Sequence, residues 1–268
     1  MSGPYRRKTK ARFLIPVVVV CLILAMALLS TSVYMSRHTR HVIDGDTLEL
    51  VQLDKPKKGD EIAVIKTSLG TMKAVLYPEY APKTVENFKK LAESGYYDNT
   101  YIYDIVDGTY FNAGAPNKSG TLDKTKDSGD ERIELEYSQN LWPLRGAVYS
   151  CTTEVEKGVM KQVMNRAKRY GGSRFGICDS IEMTDEVKEN LYGDKESDAQ
   201  NKIADAFVKK GGVPNFSQQV TIFAQVYDGL DVIDKITSQK TENDTNYNGY
   251  KNPLKNITIK SIKIEKYK

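Results

Sequence analysis

The feature of this sequence that most limits its fold is a series of short strand-like runs separated by turns rich in glycine and asparagine. The runs are residues 61–67, 71–77, 146–151, 174–178, 220–227 and 257–264, each of a length typical of one β-strand. Helical periodicity interrupts them at residues 85–92, 184–191 and 199–210, and a last short helix is expected at 231–236. The pattern predicts one mostly β domain with a few helices.

Composition and charge exclude several kinds of function. The 39 basic and 35 acidic residues are interleaved and give a net charge of +4, so no nucleic-acid partner is indicated. His38 and His41 are the only histidines and precede the strand-like runs, which leaves the domain without an imidazole for a catalytic triad or a metal cluster. We expect no metal and no cofactor. Cys151 and Cys178 lack C-x-x-C spacing, and the sequence leaves open whether they form a disulfide or remain buried thiols.

An apolar run at residues 13–34 is long enough to cross a bilayer as a helix. Basic residues crowd the segment before it, which places residues 1–12 in the cytoplasm and the main domain outside, in a single-pass protein of the cell membrane. A cleaved signal peptide is the alternative, because Ser30 and Ser32 are small residues near a possible cleavage site. The polar residues 35–59 read as a tether, so that the folded domain would cover 60–268.

Several motifs share one resemblance. Residues 77–88 read YPEYAPKTVENF, 95–100 read GYYDNT, 145–148 read RGAV, 172–175 read GSRF and 221–236 read TIFAQVYDGLDVIDKI. They closely resemble motifs of the cyclophilin family of peptidyl-prolyl cis-trans isomerases, over roughly residues 60–266. The resemblance implies a closed eight-stranded antiparallel barrel with capping helices, in which residues from about 180 to 214 form a helical insertion.

The resemblance also implies a substrate groove, in which many positions are altered. By family position the groove contains Asp104, Thr109, Tyr110, Asn112, Cys151, Arg174, Gly176, Asn215, Phe216 and Val220. Prolyl isomerisation crosses a barrier of about 18–20 kcal/mol and needs a hydrogen-bond donor at the proline nitrogen of the twisted state. The family uses an arginine where this chain has Asp104, and an aromatic ring of the proline pocket is replaced by Gly176.

Two catalytic candidates remain in this groove. Asn112 keeps an amide donor on a shorter stem than the family's glutamine, and Arg174 stands where the family carries a glutamine. Arg174 either donates to the substrate from the opposite wall or pairs with Asp104 and neutralises it.

The expected function is an isomerase domain that assists the folding of proteins outside the membrane by binding their X-Pro segments, with activity weak or lost. The alternative is a non-catalytic cyclophilin-like scaffold that binds a peptide or a protein at the membrane surface. A third possibility concerns Ala199, Ile203 and Phe207, which share one helical face. That stripe either docks a partner or packs on its own domain.

Overall fold

The computed structural model describes residues 43–121, 132–154, 169–193, 197–242, 245 and 249–268. The strands are β1 (Glu61–Thr67), β2 (Thr71–Leu76), β3 (Tyr101–Val106), β4 (Tyr110–Ala115), β5 (Ile133–Glu134), β6 (Ala147–Ser150), β7 (Thr153–Glu154), β8 (Arg169–Gly171), β9 (Phe175–Cys178), β10 (Ile222–Asp228) and β11 (Ile257–Lys266). The helices are α1 (Pro82–Glu93), α2 (Asp185–Tyr192), α3 (Asp198–Lys210) and α4 (Leu230–Thr237), with 3-10 turns at Val51–Leu53 and Pro214–Phe216.

Eight of these strands close into a barrel in the order β1-β11-β3-β4-β9-β6-β10-β2. Every neighbouring pair is antiparallel. The predicted closed eight-stranded antiparallel barrel is therefore confirmed. A second, three-stranded sheet in the order β5-β8-β7 lies outside that prediction.

Alternation along the strands separates the barrel interior from the face that carries the groove. Phe111 on β4 and Phe175 on β9 belong to the interior cluster, where Phe88 of α1 packs edge-on against Phe175 with ring centroids 5.5 Å apart. Successive strand residues point to opposite faces, so Asn112 and Gly176, which are direct partners in the β4–β9 pairing, lie on the outer face. The packed interior fixes the strands that support this outer face.

The folded unit begins before residue 60, whereas the sequence predicted a tether up to residue 59. Residues 43–60, here the entry segment, pack on the barrel through Gln52, which is 6% exposed. Its Oε1 accepts a hydrogen bond from the Trp142 backbone N–H at 2.6 Å. Its Nε2 donates to the Trp142 carbonyl and to Gln225 Oε1, both at 2.8 Å. Gln52 is polar and belongs to no periodic apolar pattern, so the sequence gave no signal for this contact.

Helices α2 and α3 lie where the sequence predicted helices. Thr184 and Ser197 cap them, because each side-chain oxygen accepts a backbone N–H from the first turn. The stripe of α3 formed by Ala199, Ile203 and Phe207 is buried, and Ile203 and Phe207 pack in one cluster with Trp142. The docking interpretation of this stripe is therefore corrected, since the stripe is covered by its own domain.

Within the described residues, no helix has both the length and the apolar character that a membrane span requires. The predicted anchor at residues 13–34 lies outside those residues, as do 1–12 and the first part of the predicted tether.

Candidate active site

The outer faces of β3, β4, β6 and β9 bring six of the predicted groove residues together. They are Asp104, Tyr110, Asn112, Cys151, Gly176 and Phe216. Val220 packs on an apolar cluster that also includes Tyr149 and Phe216. Thr109 instead bonds the carbonyl of Asp107, and Asn215 is exposed with its own carbonyl accepting from Gln219. The predicted groove positions thus form a compact polar centre with an apolar margin.

Asp104 is the buried acceptor at this centre, with 4% of its surface exposed. Its Oδ1 accepts the Lys251 backbone N–H at 2.9 Å, and its Oδ2 accepts Asn112 Nδ2 at 3.0 Å and the Tyr110 hydroxyl at 3.3 Å. Burial raises the pKa of Asp104 above its ordinary value, and the hydrogen bonds from Lys251, Tyr110 and Asn112 oppose that shift. The carboxylate is therefore held inside the wall, facing donors of the protein.

Asn112 connects this carboxylate to the opposite wall. Its Nδ2 donates to Asp104, while its Oδ1 accepts the Tyr149 hydroxyl at 2.6 Å and the Cys151 thiol at 3.3 Å. Tyr110 also donates to Asp104. The donors in this cluster are therefore directed at acceptors of the protein. They are one N–H of Asn112, the hydroxyls of Tyr110 and Tyr149, and the thiol of Cys151. A substrate amide would have to compete with these internal partners for a donor.

Tyr149 is a member of this cluster that the sequence did not predict. It pairs with Gly176 across β6 and β9, and a Cβ added at Gly176 would lie 2.2 Å from its Cζ. Its ring centroid lies 5.3 Å from that of Phe216 and 6.5 Å from that of Tyr110. The missing side chain at Gly176 does not therefore leave the wall without a ring, because the ring of Tyr149 occupies the space from the neighbouring strand. Knowledge of the strand register would have been needed to find it.

Arg174 does not pair with Asp104, which corrects one of its two predicted roles. Its Nη1 donates to the Gly120 carbonyl at 2.8 Å and to the Tyr250 hydroxyl at 3.3 Å, and its Nη2 donates to Thr153 Oγ1 at 2.7 Å. Only 8% of the residue is exposed. The guanidinium ties together segments that are distant in sequence, so a hydrogen bond from it to a substrate would require breaking these contacts.

The two cysteines of the domain are free thiols, which answers the question left open by the sequence. Burial raises the pKa of the Cys151 thiol to about 12, and it raises the pKa of Cys178 as well. Both are therefore thiols and not thiolates near neutral pH. Within the described residues, no three or more His, Cys, Asp or Glu side chains come together as a possible metal site.

A closed eight-stranded antiparallel barrel defines the class of fold. The family model described as "Cyclophilin type peptidyl-prolyl cis-trans isomerase/CLD" matches residues 62–264. The chain belongs to the cyclophilin-type peptidyl-prolyl cis-trans isomerase family.

Two bacterial relatives cover most of the chain. A protein of Staphylococcus aureus strain USA300, provisionally named a peptidyl-prolyl cis-trans isomerase, is 29% identical over 215 residues, which are 80% of this chain and 97% of the relative. A protein of Streptococcus pyogenes, provisionally named a bifunctional phosphatase/peptidyl-prolyl cis-trans isomerase, is 29% identical over 219 residues. Those residues are 81% of this chain and 41% of that relative.

A solved structure agrees in fold. The crystal structure of a Cryptosporidium parvum cyclophilin-type peptidyl-prolyl cis-trans isomerase matches with a TM-score of 0.53 and 20% identity, covering 78% of this chain and 99% of the other. The structure of the same enzyme in the presence of the dipeptide Ala-Pro also matches with a TM-score of 0.53. At this level of identity the likeness concerns the fold.

Proposed function

We propose that this domain binds X-Pro segments of proteins outside the membrane and that its isomerisation step is weak or absent. The apolar residues 13–34, preceded by basic residues, support a location of the domain at the outer surface of the cell membrane. The observation that carries the proposal is the direction of the hydrogen bonds around Asp104. The donors of Tyr110, Asn112 and Lys251 meet an internal carboxylate.

The physical reason lies in the twisted state of the prolyl amide. When the amide rotates, its nitrogen lone pair is no longer conjugated and gains stabilisation from a hydrogen-bond donor. An ionised carboxylate has no proton to donate. The loss of one well-placed donor typically lowers the rate by a factor of about 10²–10³. The presence of Asp104 in place of a donor is therefore the reason to expect slow turnover at this site.

Binding has separate support from the aromatic margin of the groove. Tyr110 and Phe216 are partly exposed, and their ring centroids lie 5.3 Å apart. Aromatic faces pack well on apolar groups such as a proline ring. A non-catalytic scaffold is the second candidate function, and it is favoured by the same occupied donors.

An NMR titration of the full chain with matched peptides tests binding. A peptide containing Ala-Pro should perturb signals around Tyr110 and Phe216 more strongly than its Ala-Ala counterpart. Phe216→Ala should weaken binding, since it removes exposed ring surface. Tyr267→Ala is the control, because within the described residues the Tyr267 ring packs on Tyr227, with ring centroids 5.8 Å apart, and makes no ring contact with Tyr110 or Phe216. Equal responses to both peptides, or no effect of Phe216→Ala, would contradict the proposal.

A further inference from the structure

Arg174 is a buried cation whose hydrogen-bond partners all lack charge. Only 8% of the residue is exposed. Within the described residues its guanidinium donates to the Gly120 carbonyl and to the hydroxyls of Tyr250 and Thr153, at 2.7–3.3 Å. No carboxylate of that part of the chain pairs with it. Buried charges in proteins are nearly always paired with an opposite charge, so this position indicates a missing anion.

Arg145 shows how the same fold balances a less buried guanidinium. Its Nε lies 3.0 Å from Asp179 Oδ1, and its Nη2 pairs with Asp234. Arg145 is partly exposed, whereas Arg174 is buried and stands to gain more from a counter-charge. The ionisable groups that act on the Arg174 charge are phenols and a thiol, which are ordinarily uncharged near neutral pH; they belong to Tyr103, Tyr250 and Cys151. The described part of the chain therefore supplies no negative charge to Arg174.

Thr153 connects the buried guanidinium to the surface. The residue is exposed, and its Oγ1 accepts Arg174 Nη2 at 2.7 Å. Among the described residues the proton of this hydroxyl has no acceptor. A hydroxyl that accepts a hydrogen bond from a cation is polarised and becomes a stronger donor. An anion at the surface can therefore accept the Thr153 hydroxyl, and balance the charge beneath it, while the contacts of Arg174 stay intact.

The position of Thr153 relates this anion site to the groove. Cys151 belongs to the groove cluster, because its thiol donates to Asn112 Oδ1 at 3.3 Å. The Cys151 backbone N–H donates to the Arg174 carbonyl at 3.0 Å. Thr153 follows Cys151 by two residues, which span at most about 7 Å. An anion at Thr153 is thus within about two residues' length of a peptide that lies against Cys151.

We infer that Arg174 and Thr153 form an anion subsite that selects X-Pro segments with a carboxylate close to the proline, on an acidic side chain or at the C-terminus. The carboxylate would accept the Thr153 hydroxyl at the surface, and the Arg174 guanidinium would supply the opposite charge from below. A carboxylate matches this single cation, whereas the two charges of a phosphate group would leave one unbalanced. The inference rests on the X-Pro binding proposed above, and it makes Arg174 a specificity-determining residue.

An NMR titration of the full chain in detergent micelles tests this selection. The probes are Ala-Pro peptides with blocked ends, in which one glutamate occupies each of the three positions on either side of Ala-Pro in turn. Each has a glutamine counterpart. At one or more positions the glutamate peptide should bind roughly tenfold more tightly than its counterpart, and added salt should reduce the difference.

A second pair of probes separates the two sources of a carboxylate. One Ala-Pro peptide ends in a free carboxylate at the preferred distance, and the other ends there in an amide. Tighter binding of the blocked glutamate peptide assigns the subsite to an acidic side chain, whereas tighter binding of the free carboxylate assigns it to a chain end.

Variants test whether Arg174 and Thr153 cause the preference. Arg174→Gln removes the charge and keeps an amide donor, so the preference should be lost while the glutamine peptide binds as it does to the wild type. Thr153→Val changes an exposed hydroxyl only and should reduce the preference severalfold. The matched controls are Thr71→Val, an exposed threonine of β2, and Lys235→Gln, an exposed cation of α4; both should keep the full preference.

The outcomes distinguish this inference from the proposed function. If glutamate and glutamine peptides bind equally well at every position, or if Arg174→Gln and Thr153→Val keep the preference, the inference is overturned and X-Pro binding stands. If glutamate is preferred equally in Ala-Pro and Ala-Ala peptides, the anion subsite stands and the selection of proline is overturned. If no peptide binds at millimolar concentration, both are overturned.

Discussion

Replacing Gly176 by alanine tests whether the ring of Tyr149 covers this strand position. The new Cβ would lie 2.2 Å from Tyr149 Cζ and 2.5 Å from Asn112 Oδ1, so the ring would have to move. Overpacking of this kind costs about 1–3 kcal/mol. In a Tyr149→Leu background the ring is gone and Asn112 loses its tie to the Tyr149 hydroxyl, so alanine should gain about 0.5–1 kcal/mol over glycine in a strand interior. The two substitutions should therefore couple by at least about 1.5 kcal/mol.

Urea unfolding of the four members of this double-mutant cycle, followed by far-UV circular dichroism, measures the coupling. Gly45→Ala serves as the matched control, because its Cβ would meet only Ala199 Cβ at 3.4 Å and its effect should add to that of Tyr149→Leu. Additive effects of Gly176→Ala and Tyr149→Leu would refute the reasoning, since they would mean that Tyr149 does not occupy the space above Gly176.

Three further predictions concern stability and reactivity. Burial raises the pKa of Asp104, so this group stabilises the folded state below its unfolded pKa, and that stabilisation is lost as the pH rises through its folded pKa. Asp104→Asn should therefore remove this part of the pH dependence of the unfolding free energy, measured by urea unfolding across the acidic range. Gln52→Ala leaves the Trp142 backbone N–H and Gln225 Oε1 without their partner and should cost about 2–4 kcal/mol, whereas Gln239→Ala at a partly exposed position should cost little; equal losses would contradict the packing of the entry segment. Because burial raises the pKa of both thiols, the buried Cys178 and the partly exposed Cys151 should both react slowly with iodoacetamide at mildly alkaline pH and quickly in denaturant, as measured by mass spectrometry. Equal rates for Cys178 in the two conditions would show that its thiol is not buried.

Six of the eight barrel strands were predictable because their signals are local. Alternating strands, the apolar periodicity of α1 and the turn glycines can each be read within a short window of sequence. The groove positions followed from the family resemblance, and the structure brings most of them together. Strands β3 and β4 match none of the predicted runs, and the eight-stranded barrel that contains them was expected only from the family resemblance.

The contacts that define the groove were not predictable, because they join residues far apart in the chain. Tyr149 lies opposite Gly176 only through the register of β6 and β9. Arg174 turns away from Asp104 because Gly120 and Tyr250 supply acceptors, and these residues are distant in sequence. Local patterns carry no information on such pairings.

The most direct test of the proposed chemistry is an exchange NMR measurement of cis-trans interconversion in an X-Pro peptide, with and without the full chain. A buried carboxylate in place of a donor predicts that saturating protein leaves the interconversion rate close to its uncatalysed value while the peptide is bound. Fast, saturable interconversion that persists in Asp104→Asn and is abolished by a competing groove ligand would contradict this account.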